Sequence, residues 1–263
     1  MAFIQCDFYS EILGTRTSLN AVIPSRDESG QEPPREMPEQ YPVLFLLHGL
    51  HSNYSAWSRY SSVERYANEK GLAVVMPDAG RSFYTNMRYG YRYFDFFSQE
   101  LPEVANRLFP LSRDRSQRFI AGLSMGGYGA FKLALSHPEQ YAAAASLSGA
   151  LSLNQIEDPD ALLPEWPIIF GDNSKIVNSE DDLLYLAKRC CQQKQFPLRL
   201  FQCCGTEDFL YRSNQHFLKN GNELGLNLQY EESPGGHEWQ YWDEQIKRVI
   251  EWLPIDSGER KTV

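Results

Sequence analysis

Along this 263-residue chain the apolar residues fall into short continuous runs, and polar segments of helical spacing separate one run from the next. The first two runs differ from the rest. Ala2 to Ser10 and Thr15 to Ile23 alternate apolar with polar residues, the pattern of two antiparallel strands. From Pro42 onward the runs lose their alternation and read as fully buried strands: Pro42 to Leu47, Leu72 to Met76, Arg118 into Ser124, Ala142 to Leu147, Leu198 to Cys203, then a shorter one at Leu228 to Glu231. Helical patterns fill the intervals at Ala56 to Lys70, Asp95 to Leu108, Ala130 to Leu135, Asp181 to Gln193, Asn214 to Leu224 and Glu238 to Trp252. Such alternation predicts an α/β fold with a mostly parallel central sheet and helices on both faces. In sheets of that kind chemistry gathers at the carboxyl ends of the strands.

Two segments interrupt the rhythm. Pro24 to Gln40 is polar and holds Pro33, Pro34 and Pro38, which predicts a mobile surface loop. Asn154 to Ser179, rich in Pro, Asp and Asn, predicts a small cap over the active edge of the sheet. The expected organisation is one domain over residues 1–263, with a cap-like insertion at about 154–179 and the loop at about 24–40.

Composition narrows the function. The chain is 42% apolar and 22% charged with a formal net charge of −9, which argues against nucleic acid or an anionic membrane as partner. No run approaches the roughly 20 apolar residues of a membrane span. The start, Met1 to Asp7, has no basic segment and carries an early acid, so the expectation is a cytoplasmic protein without a secretory leader. Five cysteines fit a reducing compartment, and the adjacent pairs Cys190–Cys191 and Cys203–Cys204 are too close together for ordinary zinc spacing. His48 and His51 lack an evident third ligand, so no metal and no cofactor are expected.

The chemistry starts at Gly122-Leu123-Ser124-Met125-Gly126, the G-x-S-x-G pattern of a nucleophile elbow, with a strand before it and a helix after. A turn that sharp brings the residues two before and two after the serine almost into contact, so both must lack bulk. The serine sits at the corner in a strained backbone state, with its oxygen turned away from the sheet. The next amide, Met125, faces the same space and can stabilise an oxyanion.

A serine hydroxyl needs a base, usually a histidine oriented by a carboxylate. Of five histidines, His137 and His216 fall in helical patterns, while His48 and His51 precede the serine. His237 follows the last strand on the glycine loop Ser233-Pro234-Gly235-Gly236, in the serine, acid, histidine order of such folds. The acid should leave an intervening strand, where Asp208 and Glu207 are adjacent candidates and Asp172 a distant third. The shorter Asp208 is preferred because it is easier to hold rigidly. A second oxyanion donor is expected from the loop His48-Gly49-Leu50-His51, at the Leu50 amide. His51, Trp57, Phe83 and Tyr84 lie on loops at the same edge, and His51, Trp57 and Tyr84 are taken as substrate contacts.

The blocks "LLHGLHSNYSAW", "VVMPD", "YFDFFSQELP", "FIAGLSMGGYGAFKLAL", "SLSGAL", "CGTEDFLY" and "GGHEWQYWD" resemble the tributyrin esterase branch of the esterase D family, within the α/β hydrolases. The resemblance covers about Phe3 to Leu253. It implies Ser124 as nucleophile, His237 as base, and Asp208 rather than Glu207 as acid, with Leu50 and Met125 as the oxyanion hole. It also implies a carboxylesterase for short acyl groups such as acetyl or butyryl, on carbohydrate or aromatic esters, and a homo-oligomer. S-formylglutathione hydrolase and feruloyl-type esterase are the alternatives, the former with Arg81, Arg88 and Arg92 for the thiol's carboxylates. An acyltransferase would use the same three residues. A non-catalytic binding protein of this fold would have no reason to keep the strained serine.

Overall fold

The computed structural model describes residues 1–25, 38–156, 159, 163–193 and 195–255. The expected loop at about 24–40 therefore lies, over 26–37, outside the described residues, as does part of the expected cap at about 154–179. Eight strands form one sheet in the order β1-β2-β4-β3-β5-β6-β7-β8. They are β1 Ala2–Ser10, β2 Thr15–Ile23, β3 Val43–Leu47, β4 Ala73–Pro77, β5 Arg118–Leu123, β6 Ala143–Leu147, β7 Arg199–Gly205 and β8 Leu228–Ser233. β1 pairs antiparallel with β2, and β2 with β4, while every other pairing is parallel. The mostly parallel α/β sheet foreseen from the apolar runs is the observed one, and it fits the α/β-hydrolase fold that the resemblance implied.

Burial explains why the runs read as they do. Every residue of β3, β4, β5 and β6 is buried, because helices cover both faces of the central sheet. β1 is an edge strand, and its residues alternate between exposed and half-buried. Two apolar cores result. One face packs Phe45, Phe97, Tyr128 and Phe131, and the other packs Leu46, Val74, Phe119 and Ile246. No described helix is long and apolar enough to cross a membrane.

The strand order positions the site. From β3 the chain steps to β4 on one side, then crosses to β5 on the other side of β3. The loops leaving β3 and β5 diverge there, which opens a crevice at the carboxyl end of the sheet. β6, β7 and β8 then add one after another, so the loops after β7 and β8 border the same edge.

Two helical segments depart from the sequence pattern. The expected helix Ala56 to Lys70 is two helices, Ala56–Tyr60 and Val63–Lys70. Ser61 is extended between them, and the Ser62 N–H donates to Asp243 Oδ1 at 2.8 Å, a partner on the last helix. The segment expected at Asp95 to Leu108 begins at Tyr93 and passes through a π-turn, Phe96–Glu100, before Leu101–Leu108. Pro102 has no N–H, so the Ser98 carbonyl loses its helical donor. The Gln140 side chain supplies one instead, at 3.1 Å.

One buried ion pair ties the helix that follows Ser124 to the segment beyond residue 175. Lys132, on the helix Met125–Ser136, is 2% exposed and donates to the Asp181 carboxylate and to Thr85 Oγ1. Burial pulls the Lys132 ammonium below its ordinary pKa, and Asp181 opposes that shift. Lys132→Met is expected to lower unfolding free energy by about 3 kcal/mol, since it strands the partly buried Asp181 without its cation. Urea denaturation of the two proteins checks this, and an unchanged midpoint would show the pair to be dispensable.

Candidate active site

β5 ends at Leu123, and Ser124 takes φ 55°, ψ −119°, a left-handed state no ordinary strand residue adopts. The elbow's glycines are dictated by contact. A Cβ on Gly122 would lie 2.3 Å from the Gly126 carbonyl oxygen, and one on Gly126 would lie 2.5 Å from that of Leu47. Neither neighbour is a side chain that can turn aside. The Ser124 N–H donates to Leu147 O at 2.9 Å, which anchors the corner to β6.

His237 arrives from β8 and Asp208 from β7. His237 Nε2 is 2.9 Å from Ser124 Oγ, and its Nδ1 is 3.0 and 2.9 Å from the two carboxylate oxygens of Asp208. An ionised carboxylate only accepts, so Nδ1 carries the proton and Nε2 is left to accept from the serine. The Leu210 N–H also donates to Asp208 Oδ1, at 2.8 Å, and the Asp208 side chain is 0% exposed. The structure thus brings Ser124, His237 and Asp208 into one chain. It leaves Glu207 outside, on the solvent side, with its carboxylate on the Gly235 N–H. Asp172 caps a turn through Ser174 and takes no part.

The two expected oxyanion residues border the same space as Ser124. Met125 is the first residue of its helix, so its N–H has no helical acceptor. The Leu50 N–H donates to no described residue, and both residues line the cavity with Ser124. His48 sets the direction of the Leu50 amide, a role the sequence reading did not assign. Ala79 N–H donates to His48 Nε2 at 2.9 Å, which leaves the proton on Nδ1, and Nδ1 donates to Gly49 O at 2.8 Å. Gly49 C=O and Leu50 N–H belong to one peptide plane and point opposite ways. Holding the carbonyl therefore aims the amide.

The cavity above Ser124 has a volume of about 860 Å³, within the range of ligand clefts. Its walls include Leu50, His51, Phe83, Ile156, Phe209 and Trp239. Of the three expected substrate contacts, His51 lines this space and two do not. Trp57 is 1% exposed, donates from Nε1 to Leu47 O, and packs edge-on beneath Trp239. Tyr84 is fully buried, with its hydroxyl donating to His48 O at 2.8 Å. Both support the site from behind, because their polar tips are spent on backbone carbonyls.

The aromatic wall that does reach solvent was not foreseen. Phe209 is 62% exposed and lies 4.6 Å from the His237 ring, while Trp242 meets that ring edge-on at 4.8 Å. Trp239 and the exposed Tyr60 continue the wall, 5.2 Å apart. Their signal was in the sequence, as aromatics next to the acid ("EDF") and just after the base ("HEWQYW").

Of the arginines expected near the pocket, Arg81 touches its wall, with Nη1 3.3 Å from His51 Nδ1, and none of the three lines it. Arg81 donates twice to Glu165, Arg92 pairs with Asp95, and Arg88 lies over the Tyr89 ring. All five cysteines are free, and none lines the cavity.

Known proteins resemble this chain over nearly its whole length. An acetyl esterase of Caldicellulosiruptor saccharolyticus is 31% identical over 96% of this chain and 98% of its own length. Two Staphylococcus aureus structures each cover 96% of this chain and 98% of theirs. FphF, a fluorophosphonate-binding serine hydrolase, is 35% identical with a TM-score of 0.85. The S-formylglutathione hydrolase FrmB is 36% identical with a TM-score of 0.83. The Esterase family model matches residues 31–253, so the chain belongs to that family, as a serine carboxylic ester hydrolase of the α/β-hydrolase fold.

Proposed function

We propose that this esterase removes short acyl groups, acetyl or butyryl, from neutral ring-bearing alcohols, carbohydrate or aromatic, through an acyl-enzyme on Ser124. The observation that carries the reading is the unbroken chain Asp208–His237–Ser124 at the base of an open, aromatic-walled cleft. Ser124 Oγ attacks the ester carbonyl carbon as His237 Nε2 takes its proton. The oxygen of the tetrahedral adduct accepts from the Leu50 and Met125 amides, each contributing about 3 kcal/mol in comparable sites. His237 returns the proton to the leaving alcohol oxygen and then draws one from the water that frees the acid. Asp208 holds the imidazole in the right tautomer and stabilises its cation throughout.

The base must reach the leaving oxygen, so the groups around His237 lie on the alcohol side. They are Phe209, Trp242 and Trp239, flat apolar faces that suit a pyranose or phenolic ring. No lysine or arginine is among the described residues lining the cavity, and Glu238 is. That lining suits a neutral alcohol better than a thiol carrying two carboxylates. The second reading, an S-formylglutathione hydrolase, draws its support from the FrmB likeness. A cytoplasmic, homo-oligomeric protein whose partner is a small ester, not nucleic acid or membrane, completes the proposal.

Initial rates on p-nitrophenyl acetate, butyrate, hexanoate and octanoate, beside S-formylglutathione and an acetylated methyl pyranoside, test it. With ethyl acetate as the reference for an unrecognised alcohol, the expected order has p-nitrophenyl acetate and butyrate fastest, the pyranoside well above ethyl acetate, and the thioester poor. A thioester faster than every oxygen ester would replace the first reading with the second.

A further inference from the structure

We propose that Glu207, the carboxylate beside the triad acid, is a positioning residue that anchors the loop carrying His237. The proposal rests on the reading of His237 as base. β7 and β8 pair in parallel up to Gly205 and Ser233. Their loops do not part there. The Thr206 N–H donates to Ser233 O at 3.1 Å, and the Glu207 N–H donates to Gly235 O at 3.1 Å, so the pairing runs on to the doorstep of the catalytic residues.

Close approach makes this zipper possible and tight. A Cβ on Gly205 would lie 2.1 Å from the Gly235 oxygen. Gly235 itself has φ 151°, and a Cβ there would lie 2.7 Å from Tyr241 Cδ2. The loop is thus gripped on both sides at Gly235, two residues before the base. One group is left over, the Gly235 N–H, and the Glu207 carboxylate accepts it through Oε2. The other oxygen, Oε1, accepts from Thr206 Oγ1 at 2.9 Å, which holds the carboxylate in place. The Gly235 amide and the Thr206 hydroxyl keep the Glu207 carboxyl below its usual range, so it is an ionised acceptor at neutral pH.

Glu207 therefore takes Gly235 at both its C=O and its N–H, the first with its backbone and the second with its side chain. Asp208 turns inward to the imidazole, and Glu207 turns outward to the backbone that carries the imidazole. An exposed hydrogen bond of this kind adds little to stability. Its weight lies in aim, since displacing a catalytic group by about 1 Å costs on the order of 100-fold in rate.

The test compares Glu207→Ala with Glu207→Gln, whose amide oxygen can still accept from Gly235. With p-nitrophenyl acetate, Glu207→Ala is expected to lose about tenfold or more in kcat at nearly unchanged KM, and Glu207→Gln to stay within about threefold of wild type. The downfield NMR resonance of the His237 Nδ1 proton should broaden in the alanine variant and persist in the glutamine one. Circular dichroism at the assay temperature gives the folded fraction of each. An alanine variant with wild-type kcat overturns the proposal, as does a loss of kcat no larger than the loss of folded protein. Equal losses in both variants overturn it too, since charge and not the anchor would then matter. Ser124→Ala in the same assay reports on the catalytic reading separately: if it keeps wild-type activity, that reading fails and the anchor proposal falls with it.

Discussion

Ser124→Ala is expected to lower kcat by about 10⁶-fold while leaving KM for p-nitrophenyl acetate nearly unchanged. The substitution removes one oxygen and little else. Alanine has the same Cβ, so the Cβ contacts at the elbow stay as they are, and the strain at φ 55° is the same for either residue. The Ser124 N–H keeps its bond to Leu147 O, which involves only backbone. The Leu50 and Met125 amides and the aromatic walls also remain, so the ester still binds and a residue of catalysis over water persists. What disappears is the oxygen 2.9 Å from His237 Nε2 that forms the acyl bond in this reading. Stopped-flow release of p-nitrophenol and labelling with a fluorophosphonate probe measure the two consequences together. Wild-type rates in the alanine protein, or a covalent adduct retained on it, would end the serine mechanism.

The parts of this molecule visible in its sequence are those decided by neighbours in the chain. A strand buried on both faces must be apolar at every position, so β3 to β6 announce themselves wherever the surrounding helices lie. The elbow is local on one side only, because Gly122 is kept bare by Gly126 four residues on, whereas Gly126 is kept bare by Leu47 O of β3. The break at Ser61 is different. Its cause is Asp243, 181 positions from Ser62, and nothing near residue 61 encodes it. Trp57 and Tyr84 failed as substrate contacts for a related reason. An aromatic in a loop at the active edge can serve as wall or as foundation, and the choice depends on where its polar tip finds an acceptor. For Trp57 that acceptor is Leu47 O, and for Tyr84 it is His48 O, both behind the cavity. The neighbouring Phe83 has no polar tip to satisfy and faces the cavity instead. Between Asp208 and Glu207 the residues alone left the choice open, the family resemblance favoured Asp208, and the structure separates them by direction, one inward and one outward.

Asp208→Asn should lower kcat by about 10⁴-fold at neutral pH, although it changes only one oxygen to nitrogen. The reason lies in the second donor on this carboxylate. The Leu210 N–H reaches Oδ1 at 2.8 Å, so an asparagine here must place its carbonyl oxygen at that position. Its amide nitrogen then falls where Oδ2 stands, 2.9 Å from His237 Nδ1. An NH₂ group donates, so it turns the balance toward the tautomer in which Nδ1 accepts and the proton sits on Nε2. The carbonyl oxygen, 3.0 Å from Nδ1, is the competing acceptor. In that tautomer Nε2–H faces Ser124 Oγ as a donor and can no longer take its proton. Nothing in the backbone need shift, and the thermal midpoint should stay near that of wild type, since Leu210 keeps its partner. Kinetics over pH, with unfolding curves in parallel, separate the two effects. A loss below tenfold would remove Asp208 from the role of acid and return attention to Glu207. A large loss with an intact fold would tie the rate to which nitrogen of His237 carries the proton.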